Sequence, residues 1–231
     1  MTDPLNDLVL DGPRLDPLSG NTASQLVVLL HGYGADGSDL IELGRAWQSL
    51  LPEAAFIAPN APEPLPFEAF GGRQWFALTE RSLHEYRIGA EAAQSILDRF
   101  LDTELRRHSL DVSSLALVGF SQGTMMALQC GLRRKSSPSA IVGYSGLLPG
   151  ADRLGEVRTS CPVLIVHGTE DDVVPCYHAD TAHAALTKAG IACDLHKLAG
   201  LPHSIDERGL ALGGQFLKEQ LSKTSCPIPI G

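Results

Sequence analysis

The feature that most constrains the fold of this chain is a regular alternation of short apolar segments with longer segments of helical periodicity. Six apolar segments predict strands, at residues 25–31, 55–59, 115–120, 140–144, 163–167 and 194–198. Several are apolar throughout, which is typical of parallel strands covered on both faces. Five helical patterns accompany them, at residues 38–51, 86–108, 122–135, 178–189 and 207–222. This order predicts an α/β fold with a mainly parallel central sheet and helices on both faces.

Neither a repeat nor a linker divides the chain, and we expect a single domain over residues 1–231. Residues 1–24 are rich in Pro, Asp and Gly and predict an N-terminal extension or a leading strand. Residues 60–85 form a long connection, and such loops in compact domains are usually functional or mobile. The connection between the fourth and fifth predicted strands is too short to hold a large lid domain. We expect residues 224–231 to form a flexible tail.

Composition and charge limit the class of partner. The formal net charge of −9 argues against binding to nucleic acid or to an anionic membrane surface. No apolar run approaches the roughly 20 residues that span a bilayer, and the acidic start lacks the segments of a secretory signal. Five cysteines without CxxC spacing indicate reduced thiols. We therefore expect a cytoplasmic protein without a membrane anchor. We expect its partner to be a small-molecule substrate, and the sequence leaves open whether the protein is a monomer or a homodimer.

A Gly-x-Ser-x-Gly pentapeptide, Gly119-Phe120-Ser121-Gln122-Gly123, joins a predicted buried strand to a predicted helix. In that context it is typical of a sharp strand-to-helix elbow that exposes a nucleophilic serine. The two glycines would let the strand and helix backbones pass closely, and the helix N terminus would face negative charge developing on a substrate. The alternative is a Gly-rich turn in which Ser121 only caps the helix.

An earlier turn with the sequence HGYGADG, residues 31–37, follows the first predicted strand. In hydrolases with a serine elbow, the loop at this place supplies one backbone N–H to the oxyanion hole, and the residue after the nucleophile supplies the other. The backbone amides of Tyr33 and Gln122 are therefore the candidate donors. We expect His31 to be local scaffolding of this loop, and the alternative is that the segment merely shapes a tight turn.

A serine nucleophile needs a base, and the base needs a carboxylate that fixes its tautomer. Glu170, Asp171 and Asp172 follow the fifth predicted strand, and each is a candidate for this acid. His203 follows the last predicted strand, so the chain order Ser, Asp, His is the one expected of an α/β-hydrolase fold. Another histidine, His167, lies at the end of the fifth strand, where we expect it to pack locally.

Five segments, HGYGADG, GRQWF, GFSQG, HGTEDDVVP and LPHSI, resemble the bacterial carboxylesterase/phospholipase family, which is related to the acyl-protein thioesterases. The resemblance covers nearly the whole chain and implies that Ser121 is the nucleophile, His203 the base and Asp171 the acid. In the family this Asp is often followed by Pro, whereas this chain has Asp172. The resemblance also places the GRQWF segment over the cleft. Because acyl pockets are largely apolar, the candidate pocket residues are Trp75, Phe76, Met125, Leu147 and Leu148.

The resemblance implies a serine carboxylesterase that hydrolyses short-to-medium acyl monoesters through an acyl-enzyme, without a metal or an organic cofactor. An acyl-protein thioesterase, an acyl-CoA thioesterase and a lysophospholipase are alternatives that would use the same residues. A more remote alternative is a small-molecule receptor that keeps the fold but has lost turnover, because a fold does not determine a function.

Overall fold

The computed structural model describes residues 9–65, 71–157 and 161–224. Its strands are β1 (Arg14–Leu15), β2 (Gln25–Leu30), β3 (Ala54–Ile57), β4 (Glu63–Pro64), β5 (Arg73–Gln74), β6 (Leu115–Phe120), β7 (Ala140–Tyr144), β8 (Val163–Gly168) and β9 (Cys193–Leu198). Its α-helices are α1 (Gly37–Trp47), α2 (Leu83–His108), α3 (Gln122–Arg133), α4 (Tyr177–Lys188) and α5 (Glu207–Thr224). All of the predicted strands and helices are present, and their ends differ from the predicted positions by a few residues.

Seven strands form one sheet in the order β1-β3-β2-β6-β7-β8-β9. Strand β1 pairs antiparallel with β3, and the other neighbouring pairs of this sheet are parallel. The prediction of a mainly parallel α/β sheet is confirmed, and the leading segment contributes a short edge strand. Because parallel strands end at one edge of a sheet, the residues that follow β6, β8 and β9 lie along the same edge.

Alternate residues of the parallel strands pack into two cores, one on each face of the sheet. On one face, Leu26 and Leu117 pack with residues of α2, α3 and α4. On the other face, Val27 and Val118 pack with residues of α1 and α5. All four side chains are fully buried. The strands are therefore covered on both sides, which explains why their sequences are continuously apolar instead of alternating.

Helix α2 begins three residues before the predicted position, at Leu83 instead of Tyr86. The reason is a capping interaction that the apolar periodicity does not reveal. Ser82 has an extended backbone, and its hydroxyl accepts a hydrogen bond from the N–H of Glu85 at 3.2 Å. A serine in this position satisfies one of the free amides of the first turn and so sets the start of the helix.

The connections agree with the expectation that no large lid domain is present. In its described part, the connection from β7 to β8 contains one short 3-10 turn, Ala151–Glu156. The 60–85 connection contains β4 and β5, which form a small antiparallel ribbon. Residues 1–8, 66–70 and 225–231, which include parts of the predicted extension, long connection and tail, lie outside the described residues.

The predicted tail starts one residue too early, because Thr224 is still part of α5. Within the described ranges, no helix is long and apolar enough to cross a membrane.

Candidate active site

Ser121 lies at a sharp elbow between β6 and α3. Its backbone has φ 54° and ψ −115°, in the region that favours glycine. The adjoining glycines allow this geometry: a Cβ on Gly123 would lie 1.8 Å from the carbonyl oxygen of Leu30, and a Cβ on Gly119 would lie 2.3 Å from the backbone of Gly123. Because no side chain fits at either position, both glycines of the motif are required by packing.

His203 and Asp171 meet at the same edge of the sheet. His203 Nδ1 lies 2.7 Å from Asp171 Oδ2. The other carboxylate oxygen, Oδ1, accepts hydrogen bonds from the backbone amides of Val173 and Val174, at 3.0 and 2.8 Å. Because a carboxylate oxygen only accepts, His203 Nδ1 is the donor in this contact, so a neutral ring held here carries its proton at Nδ1 and has its lone pair at Nε2.

The three neighbouring acids differ in their surroundings. Asp171 is 6% exposed and makes the contacts described above. Asp172 and Glu170 are exposed. Of the three candidates in the sequence, Asp171 is therefore the one held against the histidine.

The two backbone amides predicted as oxyanion donors are available. Neither the Tyr33 nor the Gln122 amide donates to another group in the described part of the chain. For Gln122 the reason is that the first amides of a helix have no intrahelical acceptor. Both residues line a cavity of about 200 Å³ together with Ser121 and His203.

His31 supports the loop that carries Tyr33. It is fully buried, its Nε2 accepts a hydrogen bond from the amide of Ala61 at 2.9 Å, and its Nδ1 donates to the carbonyl of Gly32 at 2.7 Å. Burial lowers the pKa of His31, an effect that the hydrogen bond to Gly32 opposes. The ring is thus held as the neutral Nδ1–H tautomer, in agreement with the scaffolding role expected from the sequence.

The side chain of Gln122 has a role that sequence reasoning missed. Its Oε1 accepts from the amide of Trp75 at 2.9 Å, and its Nε2 donates to the carbonyl of Phe76 at 2.8 Å. The indole N–H of Trp75 donates in turn to the carbonyl of His31 at 2.9 Å. These contacts join the elbow, the 73–76 segment and the loop after β2. The only signal in the sequence was the position of Gln122 as the first residue of a buried helix, where its side-chain amide must form hydrogen bonds with other groups of the protein.

Trp75 and Phe76, two of the expected pocket residues, pack in the core, and their expected role in substrate binding stays a prediction. Both are buried, at 1% and 5% exposure, and neither is among the described residues that line the cavity at Ser121. Phe76 packs against Gly89 of α2, where a Cβ would lie 2.3 Å from its ring. Their size and apolar character are used to anchor the 73–76 segment in the core.

The remaining pocket candidates fall into two places. Met125 lines the cavity at Ser121. Leu147 lines a second cavity of about 240 Å³, which adjoins the first and shares four of its lining residues, Arg81, Tyr86, Val173 and Val174. Leu147 and Leu148 also line an outer groove of about 490 Å³. The second cavity shares lining residues with both the first cavity and the outer groove. Together the three spaces form a groove that leads away from Ser121.

His167 is a second residue that sequence reasoning undervalued. We expected it to pack locally, but its Nε2 lies 3.2 Å from Asp171 Oδ2 and 2.7 Å from the carbonyl oxygen of Val174. The side chains of His167 and Asp171 are both fully buried. Two histidines therefore contact one carboxylate, and the i,i+4 spacing of His167 and Asp171 was the signal available in the sequence.

The described residues contain no group of three or more His, Cys, Asp or Glu side chains that could hold a metal ion.

Burial raises the pKa of Cys161 to about 12. Burial also raises the pKa of Cys130, a residue that lies fully inside the core. Thiols in such surroundings stay protonated near neutral pH and are poor nucleophiles.

The sheet order, the elbow after β6 and the loops at the ends of β8 and β9 define the fold of the α/β hydrolases. Comparison with known proteins agrees: the phospholipase/carboxylesterase family matches residues 18–221. The chain belongs to this family, and it is a carboxylic ester hydrolase.

Individual relatives carry related names. The chain is 28% identical to esterase YpfH of Escherichia coli over 204 residues, which cover 87% of this chain and 85% of the relative. It is 30% identical to acyl-protein thioesterase 1 of Schizosaccharomyces pombe over 186 residues, covering 76% and 78% of the two chains. Among solved structures, it is similar to the crystal structure of esterase PE8, with 42% identity and a TM-score of 0.89 over 93% of this chain and 100% of the other.

Proposed function

We propose that the protein is a serine carboxylesterase that hydrolyses short-to-medium acyl monoesters through an acyl-enzyme, with Ser121 as nucleophile, His203 as base and Asp171 as the acid. The observation that carries the proposal is the 2.7 Å contact between His203 Nδ1 and Asp171 Oδ2, on a histidine that lines the same cavity as Ser121. An imidazole held in this tautomer presents Nε2 as a base toward the cavity.

In the first half of the reaction, Ser121 Oγ attacks the acyl carbon of the ester while His203 Nε2 takes the hydroxyl proton. The backbone amides of Tyr33 and Gln122 stabilise the negative charge that forms on the carbonyl oxygen. The ester C–O bond then breaks. His203 gives its proton to the departing alcohol, and the acyl group stays on Ser121.

In the second half, His203 takes a proton from water, and the resulting hydroxide attacks the acyl-enzyme. The same two amides stabilise the second oxyanion. The bond to Ser121 Oγ breaks, His203 returns the proton to this oxygen, and the carboxylic acid leaves. Each proton that His203 accepts is returned, so the cycle needs no cofactor.

The preference for short-to-medium acyl groups is supported by the size of the cavity at Ser121. Its volume of about 200 Å³ is below the range of roughly 300–1,000 Å³ that is typical of pockets for drug-sized ligands. The adjoining space of about 240 Å³ offers room for a longer chain or for part of the leaving group.

A fluorophosphonate probe followed by intact-mass analysis tests the proposal directly. We expect one label per chain in the wild type, mapped by peptide analysis to Ser121, and no label on Ser121→Ala. Hydrolysis of p-nitrophenyl esters from acetate to laurate should be fastest for the shorter chains. An unlabelled wild-type protein that hydrolyses none of these esters would instead be a non-catalytic receptor.

A thioesterase is the second candidate, because several relatives are named acyl-protein thioesterases. The same residues would attack a thioester. Parallel measurement of butyryl ester and butyryl thioester hydrolysis distinguishes the two, since a thioesterase should show the higher kcat/KM on the thioester after correction for the uncatalysed rates.

A further inference from the structure

Arg81 is the residue around the active-site cavity whose chemistry the proposed ester hydrolysis does not use. It lines the cavity that contains Ser121 and also the adjoining space. Among the described residues that line these two spaces, Arg81 is the only one with a permanently charged side chain. The other titratable groups among these described lining residues are histidines and tyrosines, and none of them is a carboxylate.

The Arg81 guanidinium has no acidic partner in the described part of the chain, where no carboxylate oxygen lies within 4.0 Å of it. This contrasts with Arg87, six residues further along the chain at the outer groove, which pairs with Glu91 at 3.1 Å. In a protein of net charge −9, an unpaired cation facing the substrate cavity is available to bind a ligand anion.

The carboxylate of Glu85, four residues after Arg81 in the chain, is engaged with the backbone. Glu85 accepts hydrogen bonds from the amides of Thr79, Glu80 and Arg81, at 2.7, 3.0 and 2.6 Å. These contacts hold the Arg81 backbone, while its side chain stays at the cavity. The charge of Glu85 thus serves the loop and not the guanidinium.

The backbone of Arg81 is held in an unfavourable conformation. Its φ is 53°, in the left-handed region that is uncommon for residues other than Gly and Asn. A non-glycine residue at such a position costs stability, and outliers of this kind cluster at ligand-binding and active sites. Here the outlier coincides with the placement of a cation at the cavity.

Tyr86 adds a second polar group at the same place. It lines both spaces with Arg81, and the two are close enough for the cation to oppose the effect of burial, which raises the Tyr86 pKa. A guanidinium beside a phenol O–H is a donor pair suited to an oxyanion of a carboxylate or phosphate group.

From this arrangement we infer that Arg81 is a substrate-binding residue that selects esters carrying an anionic group, either a carboxylate on the acyl part or a phosphate on the leaving group. The inference rests on the esterase function proposed above and narrows its substrate class. The anion binds beside Arg81 while the ester carbon lies at Ser121, so the charge adds binding energy without taking part in bond cleavage.

Two matched substrate pairs locate the anion. Mono-p-nitrophenyl succinate against p-nitrophenyl butyrate tests a carboxylate on the acyl side. Butyryl-CoA against butyryl-N-acetylcysteamine tests phosphate on the leaving side. For Arg81→Gln we expect kcat/KM to fall by roughly three- to fivefold on the anionic member of at least one pair, as for an exposed ion pair, and to stay within about twofold on the neutral members.

Three further variants make the test specific. Arg81→Glu should lower kcat/KM on the anionic substrate more than Arg81→Gln, because repulsion replaces attraction. Arg81→Gly should lose the anion preference while keeping or raising the melting temperature, because glycine accepts a positive φ. Arg106→Gln, which removes an equal charge from the far end of α2, should leave the preference unchanged.

Raising the salt concentration from about 20 mM to about 0.5 M should weaken the wild-type preference for the anionic substrate, because the interaction at an exposed arginine is screened. Equal losses on neutral and anionic substrates in Arg81→Gln, or no loss on either, would overturn the role of Arg81 while leaving the esterase proposal in place. A wild-type protein that is not labelled by the fluorophosphonate probe and hydrolyses no ester would overturn both.

Discussion

His167 Nε2 lies 3.2 Å from Asp171 Oδ2, the same carboxylate oxygen that His203 Nδ1 contacts at 2.7 Å. Its nearer partner is the carbonyl of Val174, at 2.7 Å, so Nε2 carries the proton and points between the two acceptors. Val174 also donates its amide to Asp171 Oδ1. His167 therefore holds both the carboxylate and the loop that binds it, and we regard it as a positioning residue for Asp171.

His167→Ala should destabilise the protein and lower kcat, because it leaves a buried carbonyl and a buried carboxylate oxygen each without one partner. A lost buried hydrogen-bond partner costs about 1–3 kcal/mol, measurable by urea denaturation. His167→Asn keeps a side-chain N–H and should recover part of both losses. A purely structural role predicts that the plot of kcat/KM against pH keeps its shape in His167→Ala. A positioning role predicts that one arm of this plot moves to a different pH in the variant.

Ser121→Ala should lower turnover of p-nitrophenyl butyrate by about four or more orders of magnitude, because only binding and the oxyanion hole remain. Ser145→Ala is the matched control. Ser145 also has a positive φ, 47°, at the end of a neighbouring strand, and it is 1% exposed. Its loss should affect stability more than turnover. The elbow assignment is wrong if Ser145→Ala abolishes activity and Ser121→Ala does not.

Asp171→Asn should lower kcat by roughly 10³–10⁴-fold, because an amide can hold His203 in the tautomer that lacks a free lone pair at Nε2. Asp172→Asn removes the same charge from the adjacent, exposed position and should have little effect. Both values come from steady-state kinetics on one substrate. If Asp172→Asn lowers kcat more than Asp171→Asn does, Asp172 is the acid.

His31 should make the protein less stable in mild acid. Burial holds its pKa below the ordinary value of 6.5, so the folded protein resists protonation of this ring while the unfolded chain does not. The unfolded state then binds more protons as the pH falls through 6.5, and stability decreases until the pH reaches the lowered folded pKa. Above 6.5 the effect is absent, because both states are neutral.

The measurement for His31 is the free energy of unfolding in urea between about pH 5 and pH 7.5. In the His31→Gln variant, the decrease toward low pH should be shallower than in the wild type, whatever the variant's absolute stability. His196→Gln, at an exposed position of β9, provides the control and should follow the wild-type slope. Identical slopes in all three proteins would show that His31 does not contribute.

The protein should prefer dissolved monoesters to emulsified triglycerides. The described part of the connection from β7 to β8 contains one short 3-10 turn, which is too small to form a helical lid, and lid opening is what couples lipases to an interface. The rate on tributyrin should therefore rise smoothly as the substrate concentration passes its solubility limit, with little activity on triolein. A sharp increase above saturation would indicate a true lipase and contradict this prediction.

Most of the fold could be predicted from the sequence because its signals are local. Continuous apolar segments indicated buried parallel strands, and two glycines around Ser121 at a strand-to-helix junction indicated the elbow. The start of α2 was placed three residues late, because a side-chain cap at Ser82 does not change the apolar periodicity. The surroundings of Trp75 and Phe76 could not be predicted, since an apolar side chain suits a core as well as a pocket.

The sequence by itself determined the order of strands and helices, the elbow at Ser121 and the candidates for base and acid. The family resemblance favoured Asp171 as the acid, and the tertiary structure places this carboxylate, and not an adjacent one, against His203. The tertiary structure alone decided that His167 shares this carboxylate. It also placed the Gln122 side chain against the 75–76 backbone and Arg81 at the cavity. The physical reason is that these contacts join residues distant in sequence or choose between neighbours of equal chemistry, and only packing in three dimensions sets such distances.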